Sequence, residues 1–163
     1  MGLSEDLEKI ALQENELQLQ RLDAALAWDL GLHLRTLAEK RHLEVVIDVR
    51  RFGQPLFYAA LEGTTPDNVE WVRRKSNVVA RFHRSSYSVG LKLKAKSESL
   101  PEGLSLADYA THGGSFPLTV AGAGVVGSVT VSGLPQRADH ELVVEGLCAL
   151  LGRNYEELKL APE

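Results

Sequence analysis

The sequence has only one cysteine and no long apolar run, and both absences exclude classes of protein. The lone Cys148 excludes an internal disulfide and a cysteine cage for a metal ion. No apolar run approaches the roughly 18 residues that a membrane-spanning helix needs. The net charge of −4 creates no general attraction for phosphate polymers. We therefore expect neither nucleic acid nor a membrane among the partners of the protein.

The start of the chain, MGLSEDLEKI, is acidic and lacks the basic-then-apolar pattern of a secretory signal, so we predict a cytoplasmic protein. The length of 163 residues, with 44% hydrophobic and 25% charged residues, is ordinary for one globular domain. We expect this domain to span residues 1–163. Within it we predict a helix at 3–14, a core at about 43–151 and a short tail at 153–163.

Hydrophobic periodicity predicts helices and strands along the whole chain. Asp23 is a good N-cap for the second helix, and Pro66 suits the first turn of the third. Residues 84–103 are ambiguous, because their Leu and Lys residues alternate as in a strand while the segment also fits a helix. The order of elements indicates an α+β fold with helices on the faces of an antiparallel sheet. After the first helix, the predicted elements are a strand at 16–22, a helix at 23–40, a hairpin of strands 43–50 and 55–61, a helix at 65–83, two strands within 113–133 and a helix at 138–151.

The segment 113–133, GGSFPLTVAGAGVVGSVTVSG, holds six of the fourteen glycines among residues that favour strands. Glycine inside a strand marks a bulge, a bend, or a place where a ligand or another backbone comes close. We expect Gly122 and Gly124 to form the turn between two strands. The match to GxGxxG at 122–127 therefore opens no helix and does not predict a dinucleotide site. We expect these side-chain-poor strands to leave an open hollow beside the helix at 65–83.

Three motifs resemble the haem-degrading domain family, also called GlcG-like, in its branch of small stand-alone proteins. They are VIDVRRFGQPLF, GTTPDNVEWVRRKSNVVARFHRSSY and GGSFPLTVAGAGVVGSVTVSGLPQRADHELVVEGL, which together cover about residues 45–151. The resemblance implies a profilin-like or PAS-like antiparallel five-stranded sheet and a homo-oligomer. It implies haem as a possible cofactor, since members are described as haem-binding, haem-degrading or cofactor-accessory. Residues 61–63 (LEG) depart from the basic residue that relatives often carry there.

Candidate ligand contacts flank the expected hollow. Haem needs an axial ligand, usually His, and an apolar slot with cations for its propionates. If haem binds, His83 or His112 would ligate the iron, since both could reach the mouth of a pocket. Arg74, Lys75 or Arg81 would hold the propionates, and Arg74 and Lys75 match the basic pair of the family. The predicted ligand-binding set is completed by Gly113, Gly114, Phe116 and Gly133.

Structural roles compete with these interpretations. The glycines fit bulges and close packing as well as a ligand surface. A stripe at helical spacing fits either a site for a carboxylate or phosphate or a solvated helix face. We expect His33 and His42 at the surface or the core rim, His140 as a helix cap, and Cys148 as a buried, inert thiol. The stripe consists of Arg73, Asn77, Arg81 and Arg84.

No catalytic machinery can be assigned from the sequence, because no nucleophile elbow accompanies Ser85 and Ser86 and no histidine–carboxylate pair has metal-site spacing. Whether the protein is an enzyme therefore stays open. The leading prediction is a protein that binds a small ligand, either haem or another anionic molecule. The alternatives are an oligomeric interaction protein without a small ligand and a haem-degrading enzyme.

Overall fold

The computed structural model describes residues 2–163, and its four strands form one antiparallel sheet with the order β2-β1-β4-β3. The predicted α+β fold is confirmed, but the sheet has four strands rather than the expected five. The elements are α1 (Leu3–Glu16), α2 (Ala24–Lys40), β1 (Val46–Arg51), β2 (Gln54–Ala60), α3 (Pro66–Phe82), α4 (Ser86–Ala95), β3 (Ser115–Val120), β4 (Gly124–Ser132), α5 (Gln136–Leu151) and α6 (Tyr155–Leu158).

The predicted strand at 16–22 is wrong. Helix α1 runs through Glu16, and the segment that follows makes a single parallel bridge to the sheet, between Leu19 and Val120. The Leu19 amide donates to the carbonyl of Thr119 over 2.8 Å. The alternating leucines gave a strand-like pattern because Leu17 and Leu19 are both buried in the core. An extended connection that buries every second side chain has the same period as a strand.

The ambiguous segment at 84–103 forms helix α4 and an irregular connection, and no strand. Ser85 caps this helix, since its side-chain oxygen accepts a hydrogen bond from the amide of Ser88 over 3.2 Å. Residues 86–89 are buried, whereas Lys92 and Lys94 are exposed. The cap and the buried first turn therefore stabilise a helix, although the alternation of Leu and Lys is typical of a strand.

One face of the sheet carries the apolar core, which helices α2 and α5 cover. The spacing of Leu26, Leu30, Leu34 and Leu37 predicts one apolar stripe along α2, and the structure confirms it. The first three are buried, and Leu37 is partly buried against the core. The α2 N-cap is also confirmed, since the Asp23 carboxylate accepts from the amide of Leu26 over 2.8 Å. None of the helices within residues 2–163 combines the length and the hydropathy that a membrane-spanning helix requires.

The opposite face of the sheet is polar and lies beneath α3. Thr65 and Asn68 form a capping box at the start of this helix, which packs over β3 and β4. The helix buries Lys75 and Ser76 toward the sheet. Because side chains alternate along a strand, the polar residues of the sheet share this face. They are Asp48, Ser115, Ser128, Thr130 and Ser132, all of them buried.

Candidate functional site

Two clefts open between α3 and the glycine-rich strands. The first, which we call the His83 cleft, has a volume of about 340 Å³ and is bounded by the C-terminal half of α3, the β1–β2 turn and β4. The second, the His112 cleft, has a volume of about 240 Å³ and lies near the starts of α3 and α5. The structure thus places the two candidate histidines in different clefts.

The wall of the His83 cleft is largely apolar. Phe52 comes from the β1–β2 turn, Val125 and Val126 come from β4, and Ala80 comes from α3. His83 ends α3 in the left-handed conformation, with φ of 57°. Its imidazole is exposed and forms no hydrogen bond or ion pair with any other residue in 2–163. The cleft therefore combines an apolar wall with an imidazole that is free to bind.

The cation of the His83 cleft is already neutralised. Arg50 donates from Nε to Oδ1 of Asp48 over 2.7 Å and from Nη2 to Oδ2 over 2.8 Å. Asp48 is fully buried, and its hydrogen bonds raise the pKa of Arg50 further. Arg81 is exposed on α3 and does not line the cleft.

Strand β4 presents a row of buried hydroxyls to α3. Thr130, in the middle, donates to Ser115 Oγ over 2.9 Å. Ser128 and Ser132 are only 4% and 3% exposed, yet neither side chain has a hydrogen-bond partner among the described residues. Ser128 lines the His83 cleft and Ser132 lines the His112 cleft. Among the described residues, the one fully buried side-chain polar atom without a partner is Nδ1 of His140. The hydroxyl oxygens of Ser128 and Ser132 therefore remain open to their clefts, where each can bind a water or a ligand.

A buried ion pair forms the floor of the His112 cleft. Lys75 Nζ donates to Asp139 Oδ2 over 3.1 Å, to the carbonyl of Gly113 over 3.0 Å and to that of Val131 over 2.8 Å. Asp139 Oδ1 accepts from the amide of Leu134 over 2.9 Å. Burial lowers the pKa of Lys75 and raises that of Asp139 to about 6. All three protons of the ammonium group are used, so Lys75 links α3, β4 and α5.

An aromatic pair stands at the mouth of the same cleft. The rings of Trp71 and His112 meet edge to face, with centroids 4.9 Å apart. The guanidinium of Arg74 lies 4.6 Å from the centroid of Trp71, and its Nε donates to the carbonyl of Leu106 over 2.9 Å. Burial, Lys75 and Arg74 lower the pKa of His112, which favours the neutral imidazole at pH 7.

The structure divides the predicted ligand residues among several places. Lys75, His112, Gly113 and Gly133 meet in the His112 cleft, and Arg74 lies beside it. Of the predicted ligand residues, only His83 lines the His83 cleft. The remaining members lie elsewhere: Gly114 packs against Lys75, Phe116 is buried in the apolar core, and Arg81 is exposed on α3.

Two expectations for other residues have different outcomes. The expected cap His140 is instead fully buried, and its Nε2 lies 2.8 Å from Gln13 Oε1. Burial lowers the pKa of His140 to about 3, so its ring is neutral at pH 7. Cys148 is buried as expected, and burial raises the pKa of its thiol to about 11. Within residues 2–163, no group of three or more His, Cys, Asp or Glu residues could hold a metal ion.

These glycines allow neighbouring backbone to pack closely, so no open hollow lies directly over them. A methyl group at Gly127 would overlap the carbonyl oxygen of Arg50, and one at Gly133 would overlap that of Glu44. A methyl group at Gly113 would overlap the carbonyl of Gln136. The clefts therefore lie beside these glycines, where α3 does not cover the sheet completely.

Sequence reasoning missed the serines and the acidic partners of the site. The signal for the serines was the alternation in SVTVS at 128–132, which puts three hydroxyls on one face of a strand. The pairing of Asp48 with Arg50 was also readable, because residues two apart in a strand share a face. The pairing of Lys75 with Asp139 had no local signal, because 64 positions separate the two residues.

Comparisons with known proteins agree with this architecture. A family model described as haem degrading protein HbpS-like matches residues 22–148. A UPF0303 protein of Burkholderia thailandensis is 62% identical over 163 residues, covering 99% of each chain. The crystal structure of the Ybr137w protein superposes with a TM-score of 0.81 at 28% identity, over 90% of this chain and 88% of that one. A PduOC:heme complex superposes with a TM-score of 0.67 at 16% identity, over 79% and 94%.

Proposed function

Because the chain belongs to the HbpS-like family of haem-degrading proteins, we propose that it binds haem, or a flat acidic ligand resembling it, in the His83 cleft. The observation that carries this proposal is the free imidazole of His83 at the rim of an apolar cleft. A PduOC protein of the same fold has been crystallised with haem, which supports the choice of ligand.

The residues of the His83 cleft fit the chemical needs of haem in part. The imidazole of His83 would bind the haem iron, and Phe52, Val125 and Val126 would hold the apolar part of haem. For the propionates, the candidate cations would be Arg50, which lines the cleft although it is paired with Asp48, and the exposed Arg81, two residues before His83. The volume of about 340 Å³ is at the small end of the roughly 300–1,000 Å³ typical of ligand pockets.

Titration with haemin tests the proposal. The wild type should show a shifted Soret band that saturates. We expect His83→Gly to weaken binding roughly tenfold or more, since even outer partners of metal sites are worth about 10–100-fold in affinity. Glycine is the preferred replacement because it accepts the positive φ at this position and preserves the end of the helix.

His112→Ala is the matched control, because it removes an imidazole from the other cleft. Its haemin titration should follow that of the wild type. If His112→Ala abolished the Soret shift while His83→Gly left it unchanged, the ligand would belong to the His112 cleft. A change that never saturates in the wild type would remove haem binding altogether.

We also propose that the protein assembles as a homo-oligomer through an edge-strand surface formed by β2, Trp28, Leu32 and Tyr58. Strand β2 lies at an open edge of the sheet, and its sequence, QPLFYAA, contains no charge; its one residue that discourages pairing is Pro55, near its start. The side chains of Trp28, Leu32 and Tyr58 are 54%, 42% and 45% exposed. Such uncovered apolar area beside an unpaired edge is typical of an interface.

Light scattering tests the assembly, and we expect a mass above that of the monomer. Tyr58→Lys places a charge on the edge strand and should shift the protein toward monomer. Leu106→Lys is the matched control, because Leu106 is 69% exposed but lies in the loop before β3, away from the edge-strand surface. A wild-type protein that is monomeric at every concentration would contradict the proposal.

A further inference from the structure

The hydroxyl of Ser132 is the starting point for a second site. This side chain is almost completely buried and lines the His112 cleft. It has no hydrogen-bond partner within residues 2–163, and the neighbouring hydroxyl on the same face, Thr130, is engaged with Ser115. The Ser132 oxygen is not a fully buried atom, so it opens into the cleft and can hydrogen-bond to a water or a ligand there.

The two side-chain amides of the His112 cleft are oriented as donors. The Asn68 oxygen accepts from the amide of Thr65 over 2.9 Å, which leaves its NH₂ group free. The Gln136 oxygen accepts from the amide of Gly113 over 3.0 Å, which likewise leaves its NH₂ group free. Both residues line the cleft. With the hydroxyl of Ser132, these groups favour a ligand that accepts hydrogen bonds.

The electrostatics of the cleft also favour an acceptor with negative charge. The carboxylate of Asp139 is matched by Lys75, and both of its oxygens are already hydrogen-bonded. Arg74 forms no ion pair among the described residues and lies over the ring of Trp71, whose Nε1 donates to the Asp67 carboxylate over 3.2 Å. Helix α5 begins next to the cleft, and its N-cap, Pro135, provides no side-chain cap for the first-turn amides. Helix N-termini attract anions.

We infer that the His112 cleft binds a small oxyanion, the carboxylate or phosphate group of a small molecule, which Ser132, Asn68 and Gln136 hold by donated hydrogen bonds. The volume of about 240 Å³ lies below the roughly 300–1,000 Å³ of pockets for larger ligands. This site is separate from the His83 cleft and does not depend on haem binding there.

Intrinsic tryptophan fluorescence reports occupancy, because Trp71 lines the cleft and is one of only two tryptophans. The protein is titrated with inorganic phosphate and, separately, with acetate, against sodium chloride at the same ionic strength. We expect a saturable change with at least one of the two oxyanions and none with chloride. The stronger of the two responses identifies the group. In Trp71→Phe the change should disappear.

Ser132→Ala should weaken binding about tenfold or more, the effect expected for a hydrogen bond to a charged group. Ser128→Ala is the matched control, since it removes a buried hydroxyl from the same face of β4 in the other cleft, and it should bind as the wild type does. Thermal unfolding of both variants checks that they remain folded. The inference is overturned if chloride gives the same response, if neither oxyanion saturates, or if a folded Ser132→Ala retains full affinity.

Haem binding in the His83 cleft and oxyanion binding in the His112 cleft can be tested independently of each other. His83→Gly should keep its response to phosphate or acetate, and Ser132→Ala should keep its response to haemin. Loss of both responses in either variant would show that the clefts are one site, contrary to the inference.

Discussion

Replacing Lys75 by methionine is expected to destabilise the protein by about 3–5 kcal/mol, because it leaves a buried charge without its partner. Asp139 would lose the ammonium group at 3.1 Å, and the carbonyls of Gly113 and Val131 would lose a donor. Urea unfolding measures the change. Lys92→Met is the matched control, because Lys92 is exposed, and it should change the stability by less than about 0.5 kcal/mol.

The double variant Lys75→Met/Asp139→Asn should recover part of this loss, since it no longer buries an unpaired carboxylate. A Lys75→Met protein as stable as the Lys92→Met control would show that the ion pair does not hold α3 to the sheet. A double variant less stable than Lys75→Met alone would show that the charge of Asp139 is not the source of the cost.

The stability loss of the single variant Lys75→Met should depend on pH. Burial raises the pKa of Asp139 in the folded protein to about 6, above its unfolded value of about 3.9. A carboxyl whose folded pKa is raised holds its proton more tightly when folded, so its burial costs stability mainly at higher pH. Loss of Lys75 raises this pKa further. The stability deficit of Lys75→Met should therefore be largest well above pH 6 and shrink as the pH falls toward 6.

Gly133→Ala is expected to destabilise the protein by about 2–5 kcal/mol, from overpacking together with backbone strain. Gly133 has φ of +152°, and a methyl group there would overlap the carbonyl oxygen of Glu44, next to the start of β1. The alanine would therefore push β1 away from the end of β4. Thermal or urea unfolding measures this effect.

Gly122→Ala separates the two causes. Gly122 also has a positive φ, of +83°, but an added methyl group would have no neighbour within 4 Å. Gly122→Ala should lower the stability by about 1–2 kcal/mol, because only the backbone conformation is strained. Equal losses for the two variants would show that the contact with Glu44 relaxes freely and that Gly133 is not needed for close packing.

The family and the α+β class could be predicted from the sequence, and both are confirmed. The helices α2 and α3 and the hairpin of β1 and β2 were also predictable, because their signals are local. Asp23 and Pro66 mark helix starts, and Leu26, Leu30 and Leu34 repeat with the period of a helix. Local patterns gave a wrong prediction at residues 17–22, because an extended connection with alternately buried leucines has the same pattern as a strand.

The site itself depended on contacts that no local pattern encodes. His83 and His112 looked equivalent in the sequence, yet the path of α3 over the sheet puts them in separate clefts. Lys75 looked like a ligand contact, yet it is buried against Asp139, 64 positions away.

The amino-acid sequence is enough to identify helices and strands wherever the period of apolar residues and the caps agree. Which face of the sheet α3 covers, and which polar groups beneath it find partners, follows from the packing of the whole fold. A periodic pattern specifies the buried side of an element but not the element that buries it. The free hydroxyls of Ser128 and Ser132 exist because α3 leaves the sheet uncovered beside them.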